Sequence, residues 1–207
     1  DDLVKAGDDI YCEVMVTNTS DENTPALTCV VDDTRAGEVF NDILTGSETL
    51  NYSYPAPAGN GTIGNEVSVL CSIDGFANQV DDDASDSTDY FTPGVSITKS
   101  CDDLVKAGDD ILCGVTITNT STANTPALTC VATDSREGEI FNDVLVGSEV
   151  RNYSYTAPAG DGTVDNTVTV LCSIDGFANT VGDDASDSTD YFTPSIAVWK
   201  TGDTVSK

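Results

Sequence analysis

The chain contains no histidine, one methionine, one tryptophan and only 8 lysines and arginines against 36 acidic residues. Each scarcity removes something. Without histidine there is no Ser-His-Asp or Cys-His dyad, no imidazole-ligated zinc and no imidazole general base. A formal charge of −28 repels phosphate backbones and anionic lipid, so nucleic acid and membrane surfaces are poor partners. No C-x-x-C spacing occurs, which leaves zinc without its usual donors. No stretch reads as a signal peptide or a membrane span. Paired carboxylates of the glycosidase type need no imidazole and survive this cut, but no distinctive motif marks a cleft. What remains is a chain of 207 residues, 39% hydrophobic and rich in Val, Ile and Leu, which can bury a core. It reads as a folded, acidic, non-catalytic protein.

The most informative feature of the chain is an internal repeat. DDLVKAGDDIYCEVMVTNTS at 1–20 returns as DDLVKAGDDILCGVTITNTS at 102–121, and the 101-residue offset holds without a gap to DYFTP at 89–93 and 190–194. About 70% of aligned positions are identical, as expected for a recent duplication within a tandem array. A period of ~100 residues fits one β-sandwich module. The organisation expected is a first module at 1–93 lacking its opening strand, a second at 94–194, and a segment at 195–207, SIAVWKTGDTVSK, that opens a third module or serves as a donor strand. The preferred account is an excerpt from a longer array. The alternative is a subunit whose C-terminal strand completes the sheet of the next, giving a head-to-tail fibre.

Alternation of period two predicts strands throughout, and no helical periodicity of ten residues appears. Inward sets are Ile10, Cys12, Val14 and Val16; Leu27, Cys29 and Val31; Val67, Val69, Cys71 and Ile73; and Val95, Ile97, Lys99 and Cys101. The clusters NTSDENTP, PAPAGNG, DGFAN and DDDASDS read as turns, and Pro25, Pro55, Pro57 and Pro93 fall at run boundaries. The expectation is all-β: tandem immunoglobulin-like sandwiches of about seven strands each.

Seven cysteines form a repeated set: Cys12, Cys29 and Cys71 return as Cys113, Cys130 and Cys172, with Cys101 in the opening strand of the second module. Four inward cysteines per full module indicate two disulfides and an oxidising compartment. Strand direction favours Cys101–Cys113, Cys130–Cys172 and Cys29–Cys71, leaving Cys12 unpaired or paired outside this segment. The cross-sheet pairing Cys12–Cys71 and Cys113–Cys172 also satisfies the parity and stays open.

The phrases KAGDDIYCEVMVTNTS, NTPALTCVVDD and NTVTVLCSIDG, with PSIAVWKTGDTVSK as an opening strand and first turn, resemble the bacterial and archaeal surface repeat catalogued as domain of unknown function number eleven. The resemblance spans both modules. It implies long tandem arrays on secreted or cell-wall proteins, acting as stalks, adhesins or fibres, with no catalytic residues to carry over. The cysteines lie outside that family's pattern.

Several constellations carry competing readings. Asp81, Asp82, Asp83, Asp86 and Asp89 return as Asp183, Asp184, Asp187 and Asp190, and Asp8–Asp9 as Asp109–Asp110; solvated acidic turns are preferred over a calcium site, since no EF-hand spacing occurs. No other cofactor is expected. Sequons at Asn18, Asn51, Asn60, Asn119 and Asn152 are glycosylation candidates on predicted loops or exposed strand ends. Lys99 and Lys200 sit at inward parity, with Asn65 and Asn166 as conceivable amide cross-link partners; a snorkelling lysine is preferred. Tyr52 with Tyr54, and Tyr153 with Tyr155, could stack on surface glycans but read better as sandwich core with hydroxyls reaching solvent. The expected function is an extracellular structural repeat whose partners are adjacent copies of the module or chain. The alternatives are a glycan- or calcium-dependent adhesive module and polymerisation by strand exchange through 195–207.

Overall fold

The structure, a computed structural model, describes residues 2–178 and 180–202; Asp203 to Lys207 of the C-terminal segment lie outside the described residues. It is all-β, and it divides into two compact units, Asp1–Pro93 with Thr122–Thr125, and Gly94–Ser121 with Pro126–Lys207.

The first unit contains β1 (Leu3–Lys5), β2 (Ile10–Thr17), β3 (Leu27–Asp33), β4 (Gly37–Leu44), β5 (Thr49–Ala56), β6 (Thr62–Ser72) and β7 (Gln79–Phe91). One sheet runs β1-β7-β6-β3-β4 and the other is the pair β2-β5. Their inward residues meet in a core that includes Ile10, Leu27, Val31, Leu44, Ala56 and Tyr90. The second unit contains β8 (Val95–Cys101), β9 (Leu104–Lys106), β10 (Ile111–Asn119), β11 (Leu128–Asp134), β12 (Gly138–Leu145), β13 (Val150–Ala157), β14 (Thr163–Ser173) and β15 (Thr180–Phe192). Its sheets run β13-β10-β8 and β12-β11-β14-β15-β9. This order, with the opening run shared between sheets, is an immunoglobulin-like sandwich.

Two local findings depart from the sequence reading. First, the second unit has eight strands rather than about seven, because its opening run changes sheets. β8 pairs antiparallel with β10, and after a break at Asp102–Asp103 the chain continues as β9, parallel to β15. A tight turn then ends the run: the N–H of Asp109 donates to the Lys106 carbonyl at 3.0 Å, and Gly108 supplies the φ of 93° that a type II turn needs. Second, DDDASDS is not a turn. It lies inside the thirteen-residue strand β7, and its repeat lies inside β15. Aspartate and serine are poor strand formers, but full antiparallel pairing with β6 and β14 overrides that preference. Pro55 also falls inside β5 rather than at its boundary. That strand pairs only with β2, so a proline there need not interrupt a second ladder.

Three disulfides are closed: Cys29–Cys71, Cys101–Cys113 and Cys130–Cys172. Each joins residues directly opposite one another on neighbouring strands of one sheet; no bridge crosses between sheets among the described residues. Cys130–Cys172 closes a separation of 42 residues and Cys101–Cys113 one of 12. On the chain-entropy relation these loops contribute about 4 and about 3 kcal/mol respectively. Replacing Cys130 and Cys172 together by alanine is therefore expected to lower the opening free energy of the second module by about 4 kcal/mol. Hydrogen exchange of the β14 amides in the full chain reads this directly, and a change below about 1 kcal/mol would refute it.

Candidate functional site

The most instructive site is present twice, once filled and once open. In the second module β8 fills it. Its inner edge is not paired to a backbone but to two carboxylates on β15: the N–H of Ile97 donates to Asp183 at 2.9 Å and that of Cys101 to Asp187 at 2.7 Å. The same parallel offset continues into backbone pairing, where Leu104 lies opposite Asp190. A strand edge that would otherwise present orphan donors is thereby satisfied. Ile97 is buried, and Cys101 is bonded to Cys113.

Lys99 lies between them with its side chain fully buried. Its Nζ is 2.5 Å from Asp134 Oδ2 and donates to the Tyr155 hydroxyl, which donates in turn to Asp134 at 2.5 Å. The other Asp134 oxygen accepts the N–H groups of Arg136 and Glu137 at 2.9 and 3.1 Å, capping the β11–β12 turn. Burial pushes the Asp134 carboxyl up, but Lys99, Tyr155 and the two N–H donors outweigh it and hold the group below the ordinary carboxylate range. Burial and the adjacent carboxylate push the Tyr155 phenol up.

The first module has the same receiving groups, and no strand is seated on them among the described residues. β2 has no partner on the side where β10 holds β8. A groove of about 370 Å³ opens there, floored by Val14, Val16, Leu27, Val31, Val67 and Val69. A second hollow of about 240 Å³ lies beside Cys12, Asp33, Tyr54, Asn65 and Asp86. Val67 and Val69 are partly exposed, whereas Val168 and Val170, at the same places in the second module, are 0% exposed. The alternation of half-buried positions along β15 is also lost, since Gln79 to Ser87 of β7 are all exposed. Asp82 and Asp86 stand where Asp183 and Asp187 hold the β8 edge. Asp33 is 3% exposed and, among the described residues, faces no cation. Its Oδ2 accepts from the Tyr54 hydroxyl at 2.6 Å and Asn65 Nδ2 at 2.7 Å, and its Oδ1 from the N–H groups of Arg35 and Ala36. Burial pushes this carboxyl up, and those four hydrogen bonds bring it below its ordinary value. Cys12, where Cys113 is bridged, is a free thiol whose pKa burial pushes up.

Other candidate residues fall elsewhere. The side chains of Asn18 and Asn119 are buried rather than on exposed loops: both are 2% exposed. The Asn18 amide donates to the carbonyls of Leu44 and Thr45, and that of Asn119 to Leu145. Their side-chain oxygens accept the N–H two residues on, the Asx geometry that explains N-T-S at both places. Asn51, Asn60 and Asn152 are exposed. The Tyr54 and Tyr155 hydroxyls face buried carboxylates rather than solvent, while Tyr52 and Tyr153 are exposed, so neither pair forms an open stacking face. Asn166 bonds Ser135 and lies against the Cys113 sulfur, while Lys99 bonds Asp134 and Tyr155. Among the described residues no three His, Cys, Asp or Glu side chains gather to hold a metal. Sequence reading missed Asp33 and Asp134, and took Asp82, Asp86, Asp183 and Asp187 for turn residues when they lie on β7 and β15. The signal was available: Asp33 continues the inward parity of Leu27, Cys29 and Val31.

No family model and no curated protein matches the chain. Among solved structures it is similar to a protein of unknown function from Porphyromonas gingivalis W83 at 11% identity, covering 88% of this chain and 93% of that one with a TM-score of 0.34. It is also similar to fibronectin(III)-like modules of Clostridium thermocellum CbhA, at 12% identity, 93% and 88% coverage and a TM-score of 0.30. A chimeric titin Z1Z2 tandem aligns at 12% identity over 93% of this chain and 94% of that one, with a TM-score of 0.24. Scores this low carry no functional argument. Among the described residues no helix is long and apolar enough to cross a membrane.

Proposed function

We propose that this is a structural extracellular protein whose immunoglobulin-like modules form the body of a stalk or surface fibre. The observation that carries the reading is what the duplication has kept. Both modules hold a disulfide in the same register between neighbouring strands of one sheet, and both bury the same Asp-Tyr pair four residues further along the strand, at Asp33–Tyr54 and Asp134–Tyr155. Substitutions between the copies fall largely on outward positions such as residues 11, 13 and 15 of β2. A frame kept through duplication is what load-bearing repeats require, and bonded same-sheet strands suit an oxidising exterior. The acidic surface keeps such arrays apart. The resemblance to tandem surface repeats points the same way.

Antibody raised to the two modules is expected to decorate intact cells, and peptide mapping of the unreduced native protein is expected to recover Cys29–Cys71 and Cys130–Cys172. Confinement within the cytoplasm with these cysteines as thiols would overturn the reading.

A further inference from the structure

We propose that the open groove of the first module is a strand-acceptor site, and that its occupant is residues 195–202 of a second copy of this chain, inserted parallel to β7. The proposal rests on the structural reading above and names the partner that would join one chain to the next.

The second module supplies the template. A strand that fills this groove needs aliphatic side chains at the places of Val95 and Ile97, a lysine at the place of Lys99, and backbone N–H groups for the two carboxylates. Residues 195–202, SIAVWKTG, meet each requirement in the same register: Ile196 for Val95, Val198 for Ile97, Lys200 for Lys99. In the structure this segment has no secondary structure, and Ile196, Val198 and Trp199 are 94%, 89% and 92% exposed. An exposed apolar segment in a chain that also carries an uncovered apolar groove is an unsatisfied pair. Seated as β8 is, the tail places the N–H of Val198 at Asp82 and that of Gly202 at Asp86. Lys200 then meets Asp33 and Tyr54, the buried carboxylate and phenol that lack a cation. Lys200 is the single cation of 195–202, so its parity fixes the register.

One feature differs from the template. Gly202 stands where Cys101 stands, so Cys12 gains no covalent partner and the junction between copies is reversible. The donated segment and the groove are different surfaces of the chain, so the contact between two copies is head-to-tail rather than self-complementary.

Gly202→Cys tests this at the position that faces Cys12. The wild-type chain has one free thiol and cannot go beyond a disulfide-linked dimer. The Gly202→Cys chain has two, and mild oxidation is expected to give a reducible ladder of trimers and larger species. Thr201→Cys also has two thiols but points to the opposite face of the strand. It is expected to give roughly ten-fold less ladder, because parity places its thiol away from Cys12. Adding Lys200→Glu to Gly202→Cys should abolish the ladder by setting a carboxylate against Asp33. All three changes lie in an exposed segment outside either core, so folding is not at stake. Equal ladders from positions 201 and 202, or none from either, would overturn the proposal. So would recovery of native Cys12 in a disulfide with another cysteine, which would assign the groove to a cysteine-bearing strand instead. These outcomes leave the cell-surface and bridge-mapping results untouched, so failure here is distinguishable from failure of the structural reading.

Discussion

Replacing Lys99 by alanine is expected to destabilise the second module by about 3–5 kcal/mol, the range seen when one partner of a buried ion pair is removed. Asp134 is 2% exposed, and without the ammonium its Oδ2 keeps only the Tyr155 hydroxyl. Its pKa gives the sign of the pH dependence. The folded value is depressed, so its contribution is present above the unfolded carboxylate pKa and is lost as pH falls through the folded one. Lys99→Ala removes the chief source of that depression after burial is allowed for, so the difference between variant and parent should narrow in acid. A control separates lost charge pairing from lost volume. Lys99→Met combined with Asp134→Asn keeps the shape and removes both charges, and should recover most of the loss. Denaturant unfolding of the full chain, followed by hydrogen exchange in β11 and β14, measures both. A loss below about 1 kcal/mol for Lys99→Ala would show that the pair adds little beyond its own desolvation.

That pair marks the boundary of what was legible in the sequence. The period-two patterns gave the strands and their inward faces because each strand has one wet side and one dry side. Leu27, Cys29 and Val31 read as inward and are buried. What failed is more specific. DDDASDS has the composition of a turn, and the property that makes it a strand is not local. Asp183 and Asp187 are tolerated at half-buried positions because another strand offers them N–H groups. Lys99 reads as a snorkelling residue until Asp134, 35 residues away, is seen to end its strand at the same point in the core. Cysteine parity left same-sheet and cross-sheet pairing open, since every candidate faced inward; the sheet order β12-β11-β14-β15-β9 is what sets Cys130 opposite Cys172. The burial of two sequon asparagines was hidden for a similar reason. A triplet reports the residues a glycosyltransferase reads, but Asn18 and Asn119 are held inside by backbone carbonyls of a distant turn.

The two modules, close in sequence, are expected to differ sharply in stability in the dilute chain. Calorimetry should show two transitions, with the first module melting at least about 15 °C below the second. The second module has two bridges and the first has one; the missing 12-residue closure alone accounts for about 3 kcal/mol. The first module also leaves Val67 and Val69 partly wet and Asp33 buried without a cation. A deficit of at least about 4 kcal/mol, at 4–8 °C per kcal/mol for a domain of this size, gives the stated gap. The lower transition should belong to β3 and β6, which hydrogen exchange can assign. On the strand-acceptor proposal, a peptide of residues 195–202 is expected to raise the lower transition in proportion to the logarithm of its concentration and to leave the upper one in place. Coincident transitions at high dilution would mean that the exposed face of β2 is stabilised by something other than a donated strand. Two transitions that merge as the chain is concentrated would follow from mass action, because each tail then becomes the missing strand of a neighbour.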